Sequence, residues 1–239
     1  MERTWILLVG VMGVFLARTP DLAAEAVGSP ASILKKGRWV MGLGGGGAQR
    51  DLKGDAEARV IQGGHFRGYG LTDWLSLYGK IGIASLEVDD PAIIKTTTPS
   101  TTNDFGLTVL TSAQVKLRLY EHQAGQWEWD GGLQYVDIRA RRKGKNEGRW
   151  HEWQASTSVA KAIGRLTAYL GVKYDIVDFS FKVRENGAIV KQDKYEEEGP
   201  VGVFVGTDVY LGSSENVVLN VESAYQDGAE VDVAVAYTF

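Results

Sequence analysis

From about Gly37 to Phe239 the chain alternates apolar and polar side chains with a period of two. The clearest run is Val231, Val233, Val235, Tyr237 and Phe239, set against Asp232, Ala234, Ala236 and Thr238. Successive side chains of an extended strand point to opposite faces, whereas a helix repeats every 3.6 residues, so this pattern predicts strands. The same reading works through the rest of the chain. Val217, Leu219, Val221 and Tyr225 oppose Asn220 and Glu222; Val201, Val203, Val205 and Val209 oppose Phe204, Asp208 and Tyr210; Leu170, Val172 and Tyr174 oppose Lys173 and Asp175. Further back come runs around Trp153, Leu133, Val115, Ile81, Val60 and Leu43, which makes ten predicted strands, with eight or twelve also compatible. Most are about ten residues or longer. That exceeds the usual globular length of about five to six and matches the roughly 9–11 residues a tilted strand needs to cross a bilayer.

Connections between the runs alternate in length. Short ones fall at 70–73, 121–126, 162–164 and 212–214, and longer polar ones at 89–104 and 184–198, with smaller members at 52–55, 142–147 and 226–230. Membrane barrels have short turns at the periplasmic end and longer loops outside, and an even strand count puts both ends of the barrel chain on the periplasmic side. The first 26 residues carry Arg3, an apolar run from Trp5 to Ala17 and the small-x-small triplet Ala24-Glu25-Ala26, the pattern of a cleaved export signal. At about 13 residues that run is short of the roughly 20 a membrane helix needs. Residues 27–36 read as a short periplasmic lead, and 37–239 as one barrel domain. Without cysteine the chain cannot use disulfides. Its net charge of −4 carries no basic surface of the kind that binds nucleic acid.

Alternation does not say which face meets what. In a soluble barrel the apolar face is the core; in a membrane barrel it meets lipid and the polar face lines the lumen. Aromatic residues gather toward strand ends, with Trp39, Trp74, Trp127, Trp129, Trp153 and Tyr210 as interface aromatics and Trp150 counted beside them. The polar face is rich in glycine, at Gly42, Gly44, Gly63, Gly82, Gly132, Gly171, Gly202 and Gly206, as a narrow lumen requires. The ending Val231, Val233, Val235, Tyr237, Phe239 resembles the C-terminal assembly signal of bacterial outer-membrane β-barrel proteins. The phrase from Gly70 to Lys80 resembles a turn-strand element common in them. The resemblance implies a closed antiparallel transmembrane β-barrel in the outer membrane. It implies membrane lipid and lipopolysaccharide as surroundings, and the barrel-assembly machinery as a partner through the last strand. It identifies no subfamily.

On the polar face, Arg59, His65, Arg67, Lys80, Lys116 and Arg118 precede Glu128, Asp130, Glu152, Asp208, Glu222 and Asp232, with Lys173 and Asp175 between. Across a narrow lumen these charges are expected to meet as a salt-bridge network that closes it. A narrow channel for small charged solutes and a soluble periplasmic barrel holding an apolar ligand are the alternatives. No catalytic constellation is legible. The three histidines, His65, His122 and His151, lack a carboxylate at workable spacing in sequence, and no metal or cofactor site is expected. The glycine-rich run 42–47 lacks the Lys-Ser/Thr of a phosphate loop and is expected to be part of the first strand. The basic run 139–145 is expected on an outer loop, within reach of lipopolysaccharide headgroups. A monomer without enzymatic activity is the expectation.

Overall fold

The computed structural model describes residues 33–53, 56–89, 102–141, 146–185, 188–196 and 199–239. The expected export signal 1–26, residues 27–32 of the expected lead, residues 90–101 of the expected loop and the basic tip 142–145 lie outside the described residues. Eleven strands follow in order: β1 (Trp39–Leu52), β2 (Ala56–Thr72), β3 (Leu75–Asp89), β4 (Thr102–His122), β5 (Trp127–Arg141), β6 (Asn146–Ile163), β7 (Leu166–Glu185), β8 (Ala188–Glu196), β9 (Val201–Leu211), β10 (Val217–Tyr225) and β11 (Ala229–Thr238). Each pairs antiparallel with its neighbours, and β1 pairs with β11, so the sheet closes.

The wall has ten strands because β8 and β9 share one place in it. The lower half of β7 pairs with β9 and its upper half with β8. The break between them ends at Gly199-Pro200, where Pro200 has no N–H to give the ladder but its carbonyl still accepts from Asp175 N–H at 2.8 Å. The segment 184–198, expected as a loop, thus contains a strand. Lys53 N–H donates to the Glu196 carbonyl at 2.9 Å, joining β8 to the tip of the first hairpin. The nearby Lys53–Glu196 ion pair is exposed and holds the Glu196 carboxyl below its ordinary range.

The register fixes the barrel's size. From Leu166 on β7, paired residues run through Val209, Leu219, Val235, Leu43, His65, Ile81, Thr111, Asp137 and His151, and return to β7 at Asp178, twelve residues further on. For ten strands about 4.8 Å apart, that stagger tilts the strands by about 40° and sets the backbone about 10 Å from the axis. A lumen that narrow fills with side chains.

Glycines make the filling possible. Tyr169 lies opposite Gly206, Phe204 opposite Gly171, and Phe66 opposite Gly42. In each pair the aromatic ring occupies the space a Cβ would take; at Gly42 that Cβ would fall 2.5 Å from the Phe66 ring. Replacing Gly206 with alanine is therefore expected to destabilise the barrel by about 1–3 kcal/mol through overpacking. Urea titration of the refolded protein checks this, and an unchanged midpoint would mean that Tyr169 yields freely. At the periplasmic end Gly164 and Gly212 adopt φ of 63° and 78°, which lets β6–β7 and β9–β10 reverse within a few residues.

The two faces differ as lipid and lumen require. The outward side chains Leu43, Ile61, Ile81, Leu107, Leu133, Val159, Leu170, Val205, Tyr225 and Val235 are each roughly half exposed or more, and outward apolar side chains continue around the barrel. A soluble protein rarely exposes apolar patches beyond a few hundred Å². Trp39, Trp74, Trp127, Trp129 and Trp153 are exposed outward, and Val231, Val233, Val235, Tyr237 and Phe239 share the outer face of the last strand. Trp129 satisfies its indole N–H on Thr157 Oγ1 at 2.7 Å, and Trp127 carries Lys161 Nζ 4.6 Å from its ring centre. The first and last strands meet at the periplasmic end, where Trp39 and Phe239 exchange backbone hydrogen bonds of 3.0 and 2.9 Å.

Three expectations about facing are corrected. On β2 the buried, inward residues are Ala56, Ala58, Val60, Gln62 and Phe66, so Arg59, His65 and Arg67 point outward. Arg59 pairs with Glu57 at 2.8 Å. Arg67 lies opposite Met41 and Gly79, one pair away from the Trp39–Tyr69 girdle pair, where its long stem can carry the charge to the interface. Tyr210 is not an interface aromatic, since it lines a cavity inside the periplasmic mouth. Trp150 is not one either: it is buried inside the upper barrel.

Candidate functional site: the lumen

The lumen is stacked in levels. At the outer end, inward side chains are apolar: Leu52, Ala58, Val60, Leu86, Val88, Leu110, Val136, Ile138, Trp150, Val177, Phe179 and Phe181 form one buried cluster. Phe179 stacks near Trp150 and Phe181, each with ring centres 6.1 Å away, and Tyr195 of β8 closes over both phenylalanines. This apolar plug breaks the usual polar-in rule of membrane barrels.

Below the plug lies an ionic layer centred on Arg50. Its guanidinium donates to Asp175 Oδ2 at 3.2 Å, Glu230 Oε2 at 3.0 Å, Gln226 Oε1 at 3.2 Å and the Gln226 carbonyl at 3.3 Å, and Glu152 Oε1 lies 3.6 Å away. Lys173 Nζ bonds Glu230 and lies 3.5 Å from Asp175. Trp150 Nε1–H donates to Glu152 Oε2 at 3.0 Å, tying this layer to the plug. All of these side chains are less than one-tenth exposed. Two cations lie among three carboxylates, and Arg50 has Gln226 and Glu152 has Trp150 as further hydrogen-bond partners, pairing of the kind that lets buried charge persist.

The next level is a hydrogen-bond chain. Asn220 Nδ2 donates to Asp208 Oδ1 at 2.8 Å and to Tyr169 Oη at 2.9 Å, and the Tyr169 hydroxyl donates to Glu222 at 2.8 Å. Lys116 Nζ sits 4.5 Å from the Tyr78 ring centre, and Lys80 donates to Gln62 at 3.1 Å. Asp130 and Asp232 are buried at this depth. Nearest the periplasm, Arg118 bridges Glu121 and Glu128 at 3.0 and 3.1 Å. They border a vestibule of about 610 Å³ lined also by Leu34, Val40, Phe66, Asp208 and Tyr210.

Lys80, Lys116, Arg118, Glu128, Asp130, Glu152, Lys173, Asp175, Asp208, Glu222 and Asp232 thus all lie on the inner face, and Arg59, His65 and Arg67 do not. The inward cations stand on β1, β3 and β4 (Arg50, Lys80, Lys116, Arg118), with Lys173 on β7, and the inward carboxylates on β5–β7 and β9–β11. Arg50, which the sequence reading passed over, is the hub, and Glu230 and Gln226, read as outer loop, are its partners. Continuing the alternation of Gly42 and Gly44 along β1 reaches Arg50 in the inward phase, and that was the available signal. Among the described residues no group of His, Cys, Asp and Glu has the makings of a metal site.

The apolar girdle, the closed ten-stranded wall and the polar lumen decide the class. The chain is a transmembrane β-barrel of the outer-membrane type. No family model matches it, and no curated protein does. Among solved structures, it is similar to an outer membrane channel from Pseudomonas putida F1, at 12% identity and a TM-score of 0.47 over 90% of this barrel chain and 100% of that one. It is also similar to the outer membrane protease OmpT from Escherichia coli (8% identity, TM-score 0.46, 88% and 100% covered) and to the outer membrane protein OprG from Pseudomonas aeruginosa (12%, 0.43, 87% and 98%). These likenesses concern the barrel fold alone.

Proposed function

We propose that this barrel is a structural or surface-interacting element of the outer membrane whose lumen is closed. The observation that carries the reading is the buried Arg50 layer lying directly beneath an apolar plug. An ion crossing the barrel would have to break a network of at least five charged groups and then enter a dry aromatic cluster. Export by the segment 1–26, assembly through the outward residues of the last strand, a monomeric state and the absence of enzymatic activity belong to the same reading. Refolded protein in a planar bilayer is expected to be electrically silent once heat-modifiable migration confirms folding. Stable unit steps of conductance would overturn the closed-lumen reading in favour of a narrow channel. The vestibule is the feature that supports a channel, since it carries water-accessible space from the periplasm as far as Asp208 and Asn220.

A further inference from the structure

One polar cluster faces away from the lumen at the edge of the membrane. On β5 and β6 the outward pairs rise from Trp127 and Lys161 to Tyr135 and Trp153, whose rings lie 4.8 Å apart. The next two outward pairs are Asp137 opposite His151 and Arg139 opposite Arg149. Asp137 stands ten residues beyond Trp127 along β5. At about 3.3 Å per residue and a tilt of about 40°, that is a height of about 25 Å, the thickness of the apolar band of an outer-membrane barrel. The cluster therefore lies level with the outer-leaflet headgroups.

Its charges are arranged against their own repulsion. Like charges directly opposite on neighbouring strands destabilise a sheet, yet Arg139 and Arg149 form such a pair. Asp137 pins both: Arg139 Nε donates to its Oδ2 at 2.6 Å, and Arg149 Nε and His151 Nδ1 lie 3.6 and 3.3 Å from its Oδ1. The Tyr135 hydroxyl lies 2.8 Å from His151 Nδ1. Asp137 is covered to 7% exposure although it faces outward, while the arginine side chains remain 68% and 51% exposed. Both guanidiniums meet the carboxylate through Nε, which leaves their terminal N–H forks to an outside group. Two arginines on one carboxylate leave one positive charge, and a guanidinium fork fits a phosphate in bidentate fashion.

We propose that Arg139 and Arg149, held together by Asp137, clamp a phosphate of an outer-leaflet glycolipid whose acyl chains lie on Tyr135 and Trp153. An outward group at this height meets lipid headgroups, and the net positive charge selects an anionic one. The proposal rests on the outer-membrane placement and not on whether the lumen conducts, because neither arginine touches the interior.

The test uses the full barrel refolded in detergent and native mass spectrometry with three lipids: bis-phosphorylated lipid A, the same glycolipid dephosphorylated, and phosphatidylglycerol. Phosphorylated lipid A is expected to bind at least about tenfold more tightly than its dephosphorylated form. The R139Q/R149Q double variant should lose that margin, R139K/R149K should keep part of it, and R165Q at a periplasmic turn should keep all of it. Heat-modifiable migration verifies that each variant is folded, and the lysine pair supplies the reading if the glutamine pair fails to fold. Equal binding of the two lipid A forms, or an unchanged margin in the double variant, would overturn the clamp. Phosphatidylglycerol binding as tightly as lipid A would overturn the assignment to a glycolipid.

Discussion

Replacing Arg50 with methionine is expected to destabilise the folded barrel by about 3–5 kcal/mol, the cost of stranding buried charge. The substitution keeps most of the side-chain volume, so the effect is electrostatic. It leaves Glu152, Asp175 and Glu230 facing Lys173 as the remaining cation of the layer, and Gln226 loses donors to both its side-chain and backbone oxygens. Arg50→Lys restores the charge but offers one point of contact in place of a fork that reaches three strands, and should fall between methionine and the parent. Adding Glu230→Gln to Arg50→Met should recover part of the loss, because it removes one of the stranded carboxylates, and the non-additivity measures the coupling. Unfolding in guanidinium from lipid vesicles reads the parent, these three variants and the Glu230→Gln single variant that completes the cycle. A loss under about 1 kcal/mol for Arg50→Met would mean that water or protons neutralise the layer, and would weaken the case that it seals the lumen.

That this residue escapes a reading of the sequence has a physical cause. Period-two alternation reports that a strand has two faces, but its sign must come from polarity, and polarity inverts partway up this lumen. On β11 the sign is plain, because lipid demands valine and the lumen holds Asp232, Ala234 and Ala236. On β2 the upper inner face is part of the plug, so Ala58 and Val60 look like lipid-facing residues and Arg59 like a luminal one. The hairpin itself carries the correct sign. Cross-strand partners share a face, Gly42 pairs with Phe66 and Arg50 with Ala58, so an inward Gly42 forces Phe66, Ala58 and Arg50 inward together. Placing the turn after Lys53 and carrying the register down both strands would have exposed all of them.

Trp150 illustrates the same point with a different failure. Its place among aromatics at strand ends predicts a girdle position beside Trp153. Yet residues three apart on a strand point to opposite faces, so one of the two had to be inside. The pairing of His151 with Asp137 was illegible for another reason: the partner lies on the neighbouring strand, fourteen residues earlier in the chain, and only the β5–β6 register brings the two together. Strand β8 hid inside a loop of polar residues because it pairs only with β7 above the membrane band, where no lipid imposes alternation. What was legible is what lipid enforces, namely the strand runs, the outward girdle and the short periplasmic turns. What was not legible depends on which strand meets which across a lumen about 10 Å in radius.

Truncating Trp150 to alanine is the second large effect, expected at about 3–5 kcal/mol. The indole is 2% exposed, packs against Phe179 at 6.1 Å between ring centres, and donates its N–H to Glu152 at 3.0 Å. Two losses therefore combine, a cavity in the plug and a buried carboxylate deprived of a donor. Trp150→Phe separates them, since it keeps an aromatic ring but not the N–H, and should cost about 1–3 kcal/mol, the desolvation share alone. The two variants should also differ in conductance. A cavity next to Glu152 and Arg50 is bordered by charged groups and large enough after alanine substitution to admit water, which would join the ionic layer to the outside. Intermittent current steps in Trp150→Ala, with silence in Trp150→Phe and in the parent, are the expected pattern in a planar bilayer. If Trp150→Ala is destabilised as expected yet stays silent, the remaining rings of Phe179, Phe181 and Tyr195 suffice to keep the outer half dry. The seal would then belong to the whole aromatic stack and not to the contact between Trp150 and the layer beneath it.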